Sequence, residues 1–95
     1  HRPTVLLTSS EGGATAKGSA RSVKGISIYD ALGHCADLLD RFGGHAFAAG
    51  LALPVDRVDT LRERLQSAVG LAVTDPDTLL PELELDAHLD LRDVD

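Results

Sequence analysis

Two kinds of apolar spacing divide the chain into predicted strands and helices. Residues 5–7 form a short apolar run between a proline and a turn rich in serine and glycine, which predicts a buried strand. Residues 14–23 predict a second extended segment, and residues 46–53 predict a third that ends at Pro54. From residue 82 to 91, every odd position is Leu or Ala and every even position is acidic or His. That strict alternation predicts a half-buried strand.

Apolar residues at steps of three and four predict two helices. The first begins at Ser27, a favourable N-cap residue, and its apolar face continues as far as Phe42. Gly33 lies inside this helix and should cost about 1 kcal/mol relative to Ala. Gly43 follows at the position of a left-handed C-terminal cap. The second helix is expected over residues 56–69, with an apolar stripe turned toward the sheet.

These elements place the chain in the α/β class, as a small mixed β-sheet with two main helices packed on it and a C-terminal extension that contains a strand. With 95 residues, the chain is expected to form one compact domain. We expect residues 1–73 to be that domain, N-terminally truncated, and residues 74–81 to be a linker. Residues 82–95 would begin a following domain, because one strand after a linker has no partner of its own. The sequence contains no Met, which indicates a fragment.

Composition is typical of a soluble globular protein, with 43% hydrophobic and 25% charged residues. No apolar run approaches the roughly eighteen residues that cross a bilayer, so no membrane partner is expected. A single cysteine, Cys35, cannot form an internal disulfide, which fits a reducing, cytoplasmic location. The net charge of −6 argues against a broad basic surface. Residues 1–25, however, carry four basic residues against one acidic residue. If the protein binds an anion, this part should contact it, but the same pattern also fits a solvated surface without a partner.

The segment KGSARS, residues 17–22, places hydrogen-bond donors at alternate positions. In an extended segment Lys17, Ser19 and Arg21 share one side and present an ammonium, a hydroxyl and a guanidinium. A guanidinium binds phosphate through two parallel hydrogen bonds. The pattern therefore fits a phosphate site, but it also fits an exposed strand face with ordinary charged residues.

The segment RFGGHAFAAG, residues 41–50, is unusually rich in small residues. Gly43 and Gly44 can adopt positive φ and expose successive backbone N–H groups, a concavity that accepts an anion. His45 stands at its rim, where the ring can donate to a phosphate or stack on a base. The alternative is a helix cap followed by a strand of small residues, with His45 hydrogen-bonded inside the fold.

Other chemistry has little support in the sequence. His34 and Cys35 have no second Cys or His at ligand spacing, so a zinc site is not expected. Cys35 belongs to the apolar face of the first predicted helix. No phosphate-loop or dinucleotide-binding fingerprint occurs.

The ordered combination of KGSARSV, a helix and FGGHAFAAGL resembles the DHH-associated domain of RecJ-type single-strand-specific exonucleases, members of the DHH phosphoesterase superfamily. The resemblance covers about residues 2–70 and includes RPTVLL as the strand before the glycine-serine-arginine segment. It implies the nucleic-acid-binding domain of a single-stranded-DNA-specific 5′ to 3′ exonuclease in DNA repair and recombination, a metal-dependent hydrolase of phosphodiester bonds.

By resemblance, one group of residues contacts nucleic acid and none is catalytic. The resemblance implies that Ser19 and Arg21 contact the region of the 5′-terminal phosphate. It implies that Gly43, Gly44 and His45 contact the substrate near the scissile phosphate. Further candidates are Lys17 and Ser22. In the family, a DHH catalytic domain precedes this module and binds two Mn²⁺ or Mg²⁺ ions, and an OB-like domain usually follows. The 95 residues contain no DHH motif and no metal-binding aspartate cluster, so we expect no cofactor here and no hydrolysis by this chain alone.

Two alternatives to the RecJ-type interpretation remain open on the sequence. One is the substrate-binding domain of a nanoRNA or cyclic-dinucleotide phosphodiesterase in the same superfamily. The other is a non-catalytic dimerisation or regulatory module, which predicts that Arg21 and His45 lie far apart or buried. The nuclease interpretation requires both side chains to border one cleft or face.

Overall fold

The computed structural model describes residues 2–9, 13–73 and 82–89, which form a five-stranded mixed sheet and two helices. The elements are β1 (Thr4–Ser9), β2 (Thr15–Arg21), α1 (Ile28–Gly33), β3 (Arg41–His45), β4 (Ala48–Pro54), α2 (Val58–Leu71) and β5 (Glu84–His88). Short 3₁₀ turns cover Ala36–Leu38 and Val55–Arg57. The predicted α/β class with a mixed sheet is confirmed, although only α2 is a long helix.

The strands lie in the order β3, β4, β2, β1, β5. All neighbouring pairs are antiparallel except β1 and β5, which are parallel. Val5, Leu7 and Leu53 are fully buried on the face that the helices cover, whereas Leu6, one residue out of phase, is 46% exposed. The sheet therefore has a covered face, which forms the core, and an open face.

Helix α2 follows the prediction closely. It spans Val58–Leu71, and its buried residues fall at steps of three and four: Val58, Leu61, Leu65, Ala68 and Val69. Burying a leucine side chain contributes about 1.5–3 kcal/mol relative to leaving it exposed. This apolar stripe holds α2 against the covered face of the sheet.

Helix α1 is much shorter than predicted. Ser27 caps it as expected, accepting a hydrogen bond from the Asp30 N–H, but the helix ends at Gly33. Phe42 and Gly43 belong to β3, so the prediction that they end a long helix is wrong. After Gly33 the backbone finds hydrogen-bond partners outside the helix. Residues 41–45 pair with β4, and the Asp40 N–H donates to the Ala52 carbonyl at 2.8 Å.

The extended segment predicted over residues 46–53 is wrong for residues 46–47 and correct from Ala48 onward, where β4 is the second strand of a β-hairpin. Ala46 and Phe47 form its two-residue turn, and β4 ends at Pro54 as predicted. The hairpin is the feature that places the FGGH sequence on the sheet.

Strand β5 confirms the predicted alternation, with Leu85 buried and Glu84 and Asp86 exposed. The expectation that this strand has no partner is wrong, because it pairs in parallel with β1. Its assignment to a following domain stays a prediction, and residues 74–81 and 90–95 lie outside the described residues. No helix in the described ranges is long and apolar enough to span a membrane.

Candidate functional site

Three cross-strand rows on the open face bring the candidate residues together. Residues paired across neighbouring strands point to the same face of a sheet. Read across β3, β4 and β2, the first row consists of Arg41, Ala52 and Lys17. The second row consists of Gly43, Gly50 and Ser19, and the third of His45, Ala48 and Arg21. Because neighbouring strands lie about 4.8 Å apart, the backbones of the outer two members of each row are separated by roughly 10 Å.

The polar side chains of β2 all lie on this open face. Lys17, Ser19 and Arg21 are exposed, whereas the intervening Ala16 and Ala20 are fully buried, which confirms the predicted alternation. Among the described residues neither Lys17 nor Arg21 forms an ion pair. Both cationic groups therefore face solvent, where an anion can reach them.

His45 ends β3 with its side chain exposed. Its Nδ1 accepts a hydrogen bond from the Phe47 N–H at 3.3 Å. An acceptor nitrogen of a neutral imidazole carries no proton, so the proton resides on Nε2. The ring thus presents an N–H donor outward, and the alternative in which His45 is hydrogen-bonded inside the fold is excluded.

The two consecutive glycines of β3 differ in conformation and surroundings. Gly44 has φ of 144°, and a Cβ there would lie 2.6 Å from Ala49 Cα, so the backbone requires glycine. Gly43 does not have positive φ, and a Cβ there would meet nothing within 4 Å. The prediction that both glycines adopt positive φ is therefore wrong for Gly43, whose missing side chain leaves open space instead.

Two adjoining grooves form one depression, which we call the trough and which most of the candidate residues line; His45 and Ser22 are not part of its lining. The first groove, of about 440 Å³, is lined by Lys17, Gly18, Arg41, Phe42, Gly43, Gly50 and Leu51. The second, of about 290 Å³, is lined by Ser19, Ala20, Arg21, Gly43, Gly44, Ala48, Ala49 and Gly50. Gly43 and Gly50 are common to both and form the floor, while the cationic side chains stand on either side.

Two other residues of the KGSARS segment have structural roles. The Ser22 hydroxyl donates to the Ile26 carbonyl at 2.7 Å, and the Ser22 N–H donates to the Phe47 carbonyl at 3.0 Å. Ser22 thus ties the hairpin turn to the loop before α1. At Gly18 a Cβ would collide with the Leu6 carbonyl of β1, so the close approach of the two backbones requires glycine there.

Arg41 is a further candidate residue that the sequence pattern did not indicate. It is exposed, lies in the same row as Lys17 and has no ion pair among the described residues. It was not identified because the first helix was predicted to extend through Phe42. Treating residues 41–45 as a strand would have put Arg41, Gly43 and His45 on one side, as period two requires.

The described part of the chain offers no metal site and no activated nucleophile. No group of three or more His, Cys, Asp or Glu side chains gathers there. Burial raises the pKa of the Cys35 thiol, which disfavours the reactive thiolate. The described residues therefore do not provide the ligand cluster of the two-metal centre that the resemblance implies for another domain, whereas the exposed donors of the open face are suited to an anion.

Comparison with known proteins gives one consistent result. The DHHA1 domain model matches residues 1–71. Among curated proteins, the single-stranded-DNA-specific exonuclease RecJ of Bacillus subtilis is 37% identical over 94 residues, covering 99% of this chain and 12% of its own length. The same-named protein of Dickeya dadantii is 42% identical over 74 residues, covering 74% of this chain and 13% of its own length.

Solved structures agree with the sequence comparisons. The crystal structure of RecJ in complex with Mg²⁺ from Thermus thermophilus matches 87% of this chain with a TM-score of 0.58 and 29% sequence identity. The match covers 12% of that structure, so the chain corresponds to about an eighth of these relatives. Because the family model spans most of the chain, the chain belongs to the DHHA1 domain family.

Proposed function

We propose that the chain is the nucleic-acid-binding domain of a RecJ-type exonuclease specific for single-stranded DNA, acting 5′ to 3′ in DNA repair and recombination. The observation that carries this proposal is the position of Arg21 and His45, both exposed and in one cross-strand row on the open face. The curated relatives, named as single-stranded-DNA-specific exonucleases, support the choice of substrate.

Residues of the trough, together with His45 in the same cross-strand row as Arg21, have defined chemical uses toward a DNA strand. The Arg21 guanidinium binds a phosphate through paired, charge-assisted hydrogen bonds. The Ser19 hydroxyl and the Nε2–H of His45 donate further hydrogen bonds, while Gly43 and Gly50 let the sugar-phosphate backbone approach the floor. Binding through a narrow local site is compatible with the net charge of −6.

Hydrolysis itself belongs, in this proposal, to a separate DHH catalytic domain. Mn²⁺ or Mg²⁺ bound there would supply activated water and stabilise the displaced oxygen. The residues of this chain hold and orient the strand, and a following OB-like domain is a further expected partner. Cytoplasmic location is part of the same proposal.

The geometry argues against a non-catalytic dimerisation or regulatory module. Such a module predicts that Arg21 and His45 lie far apart or buried, and neither is observed. The nanoRNA or cyclic-dinucleotide alternative uses the same residues but a shorter ligand. A preference for long strands over dinucleotides separates it from the RecJ-type function.

The test is a fluorescence anisotropy titration of a short 5′-phosphorylated single strand with the chain and its Arg21→Ala variant at low salt. Loss of one hydrogen-bonded charge costs about 1.5–3 kcal/mol, so affinity should fall roughly tenfold or more. Added salt should weaken wild-type binding. Arg62→Ala removes an arginine from α2, where it pairs with Asp59, and should bind as the wild type does. Equal affinity of the Arg21 and Arg62 variants contradicts the proposal.

A further inference from the structure

Lys17 and Arg41 form a second pair of cations, separate from the row that contains Arg21 and His45. They flank Ala52 on the open face, one from β2 and one from β3, and both line the larger groove of the trough. Ala52 is only 4% exposed although it contributes a single methyl group to a face without a described helix. Its two neighbours in register are Lys17 and Arg41, and long charged side chains of this kind can cover apolar surface with their aliphatic stems.

This cation pair has no acidic partner in the described part of the chain. The ion pairs there join Arg2 to Glu84, Arg62 to Asp59 and Arg64 to Asp37. Lys17 and Arg41 stand on either side of β4, with their backbones roughly 10 Å apart. Two long cationic side chains at this separation can converge on one anion between them, which would gain charge-assisted hydrogen bonds from both groups.

The distance along β2 separates the Lys17 and Arg41 pair from the row that contains Arg21 and His45. Lys17 and Arg21 are four residues apart in β2, which corresponds to roughly 13 Å at the rise of a β-strand. The floor between the rows is Gly43 and Gly50, where no side chain obstructs a ligand. A DNA strand lying in the trough along β2 therefore meets cations at two separated points.

We propose that Lys17 and Arg41 bind a second backbone phosphate of the same single strand, a few nucleotides from the phosphate held at Arg21. This inference rests on the proposed function and adds the path of the strand, along β2 and β4 and across the glycine floor. It predicts a minimum length, because a dinucleotide with two adjacent phosphates cannot reach both points.

The experiment measures binding of two 5′-phosphorylated oligothymidylates, a dinucleotide and an octanucleotide, by the 95-residue chain and by Lys17→Gln and Arg41→Gln variants. Glutamine removes the charge and retains an aliphatic stem, so we expect the fold to be preserved, which circular dichroism checks. The control is Arg62→Gln, and Arg21→Gln reports on the first phosphate.

Arg41→Gln should weaken octanucleotide binding several-fold and leave dinucleotide binding unchanged. It should also reduce the slope of log affinity against log salt by about 0.7 for each lost phosphate contact. Unchanged octanucleotide affinity, or an equal loss for both lengths, overturns the second site. If Arg21→Gln weakens both ligands while Arg41→Gln weakens neither, only the second site fails. If Arg21→Gln also has no effect, the proposed function fails as well.

Discussion

Glycine serves two different purposes at adjacent positions of β3. Gly44 is required by the backbone: its φ of 144° is unfavourable for other residues, and the proximity of Ala49 leaves no room for a side chain. Gly43 has ordinary strand geometry and open space where a Cβ would stand. The space around it within the fold does not require glycine, whereas the proposed DNA strand on the trough floor would.

This contrast predicts opposite outcomes for two alanine substitutions. Gly44→Ala should destabilise the fold by about 1–3 kcal/mol, the usual cost of a residue forced into such backbone geometry. Gly43→Ala should leave the melting temperature nearly unchanged but reduce affinity for single-stranded DNA several-fold, because its methyl group narrows the trough. Thermal unfolding by circular dichroism and the anisotropy titration measure the two effects.

Gly33→Ala is the matched control, since a Cβ at this exposed position on α1 would also meet nothing within 4 Å. It should retain binding and leave the fold at least as stable as the wild type, with a gain of up to about 1 kcal/mol because Ala is favoured over Gly in a helix. Full DNA affinity in Gly43→Ala would show that the open floor has no part in binding.

Among the secondary-structure elements, the segment from α1 to β3 shows where local patterns are insufficient. Leu38, Leu39 and Phe42 satisfy helical spacing, yet they pack against the core from a 3₁₀ turn and a strand. The hydrogen bonds that decide the outcome come from β4, which follows in sequence. Strand preference depends on such partners more than on intrinsic tendency. Helix α2 could be predicted because its hydrogen bonds lie within the helix and its apolar stripe needs only one apolar surface to pack against.

An ion pair connects this irregular segment to α2. Arg64 donates to the Asp37 carboxylate at 2.6 Å and to the His34 carbonyl at 3.2 Å. The hydrogen bond from Arg64 holds the pKa of Asp37 below its ordinary value of 3.8. The contact is exposed to solvent, so its contribution to stability is small.

The lowered pKa gives a pH dependence of known sign. A carboxylate with a depressed folded-state pKa stabilises the fold above its unfolded value and loses that contribution as pH falls through the folded value. The melting temperature of the wild type should therefore exceed that of Asp37→Asn at pH 7, and this difference should narrow progressively as the pH falls below about 4. A gap that stays constant between pH 7 and pH 2.5 would refute this role for Asp37.

Across the complete sheet, charge changes sign from one edge to the other. The cations of β2 and β3 stand on one half of the open face, while Glu84 and Asp86 of β5 are exposed at the opposite edge. Composition indicated a basic first quarter, but the strand order that separates the charges could not be derived from the sequence. It depends on β5 pairing with β1. The field across the face should confine an anionic strand to the trough.

The most direct measurement is a titration of the isotopically labelled 95-residue chain with a 5′-phosphorylated octanucleotide, following backbone amide signals by nuclear magnetic resonance. Weak binding is detectable in this way, and the signals identify the surface that the strand contacts. We expect the shifts to concentrate in residues 17–22 and 41–50, with little change in α2 and β5. Shifts confined to α2 or to β5, or none at saturating DNA, would contradict the assignment of the open face as the DNA-binding surface.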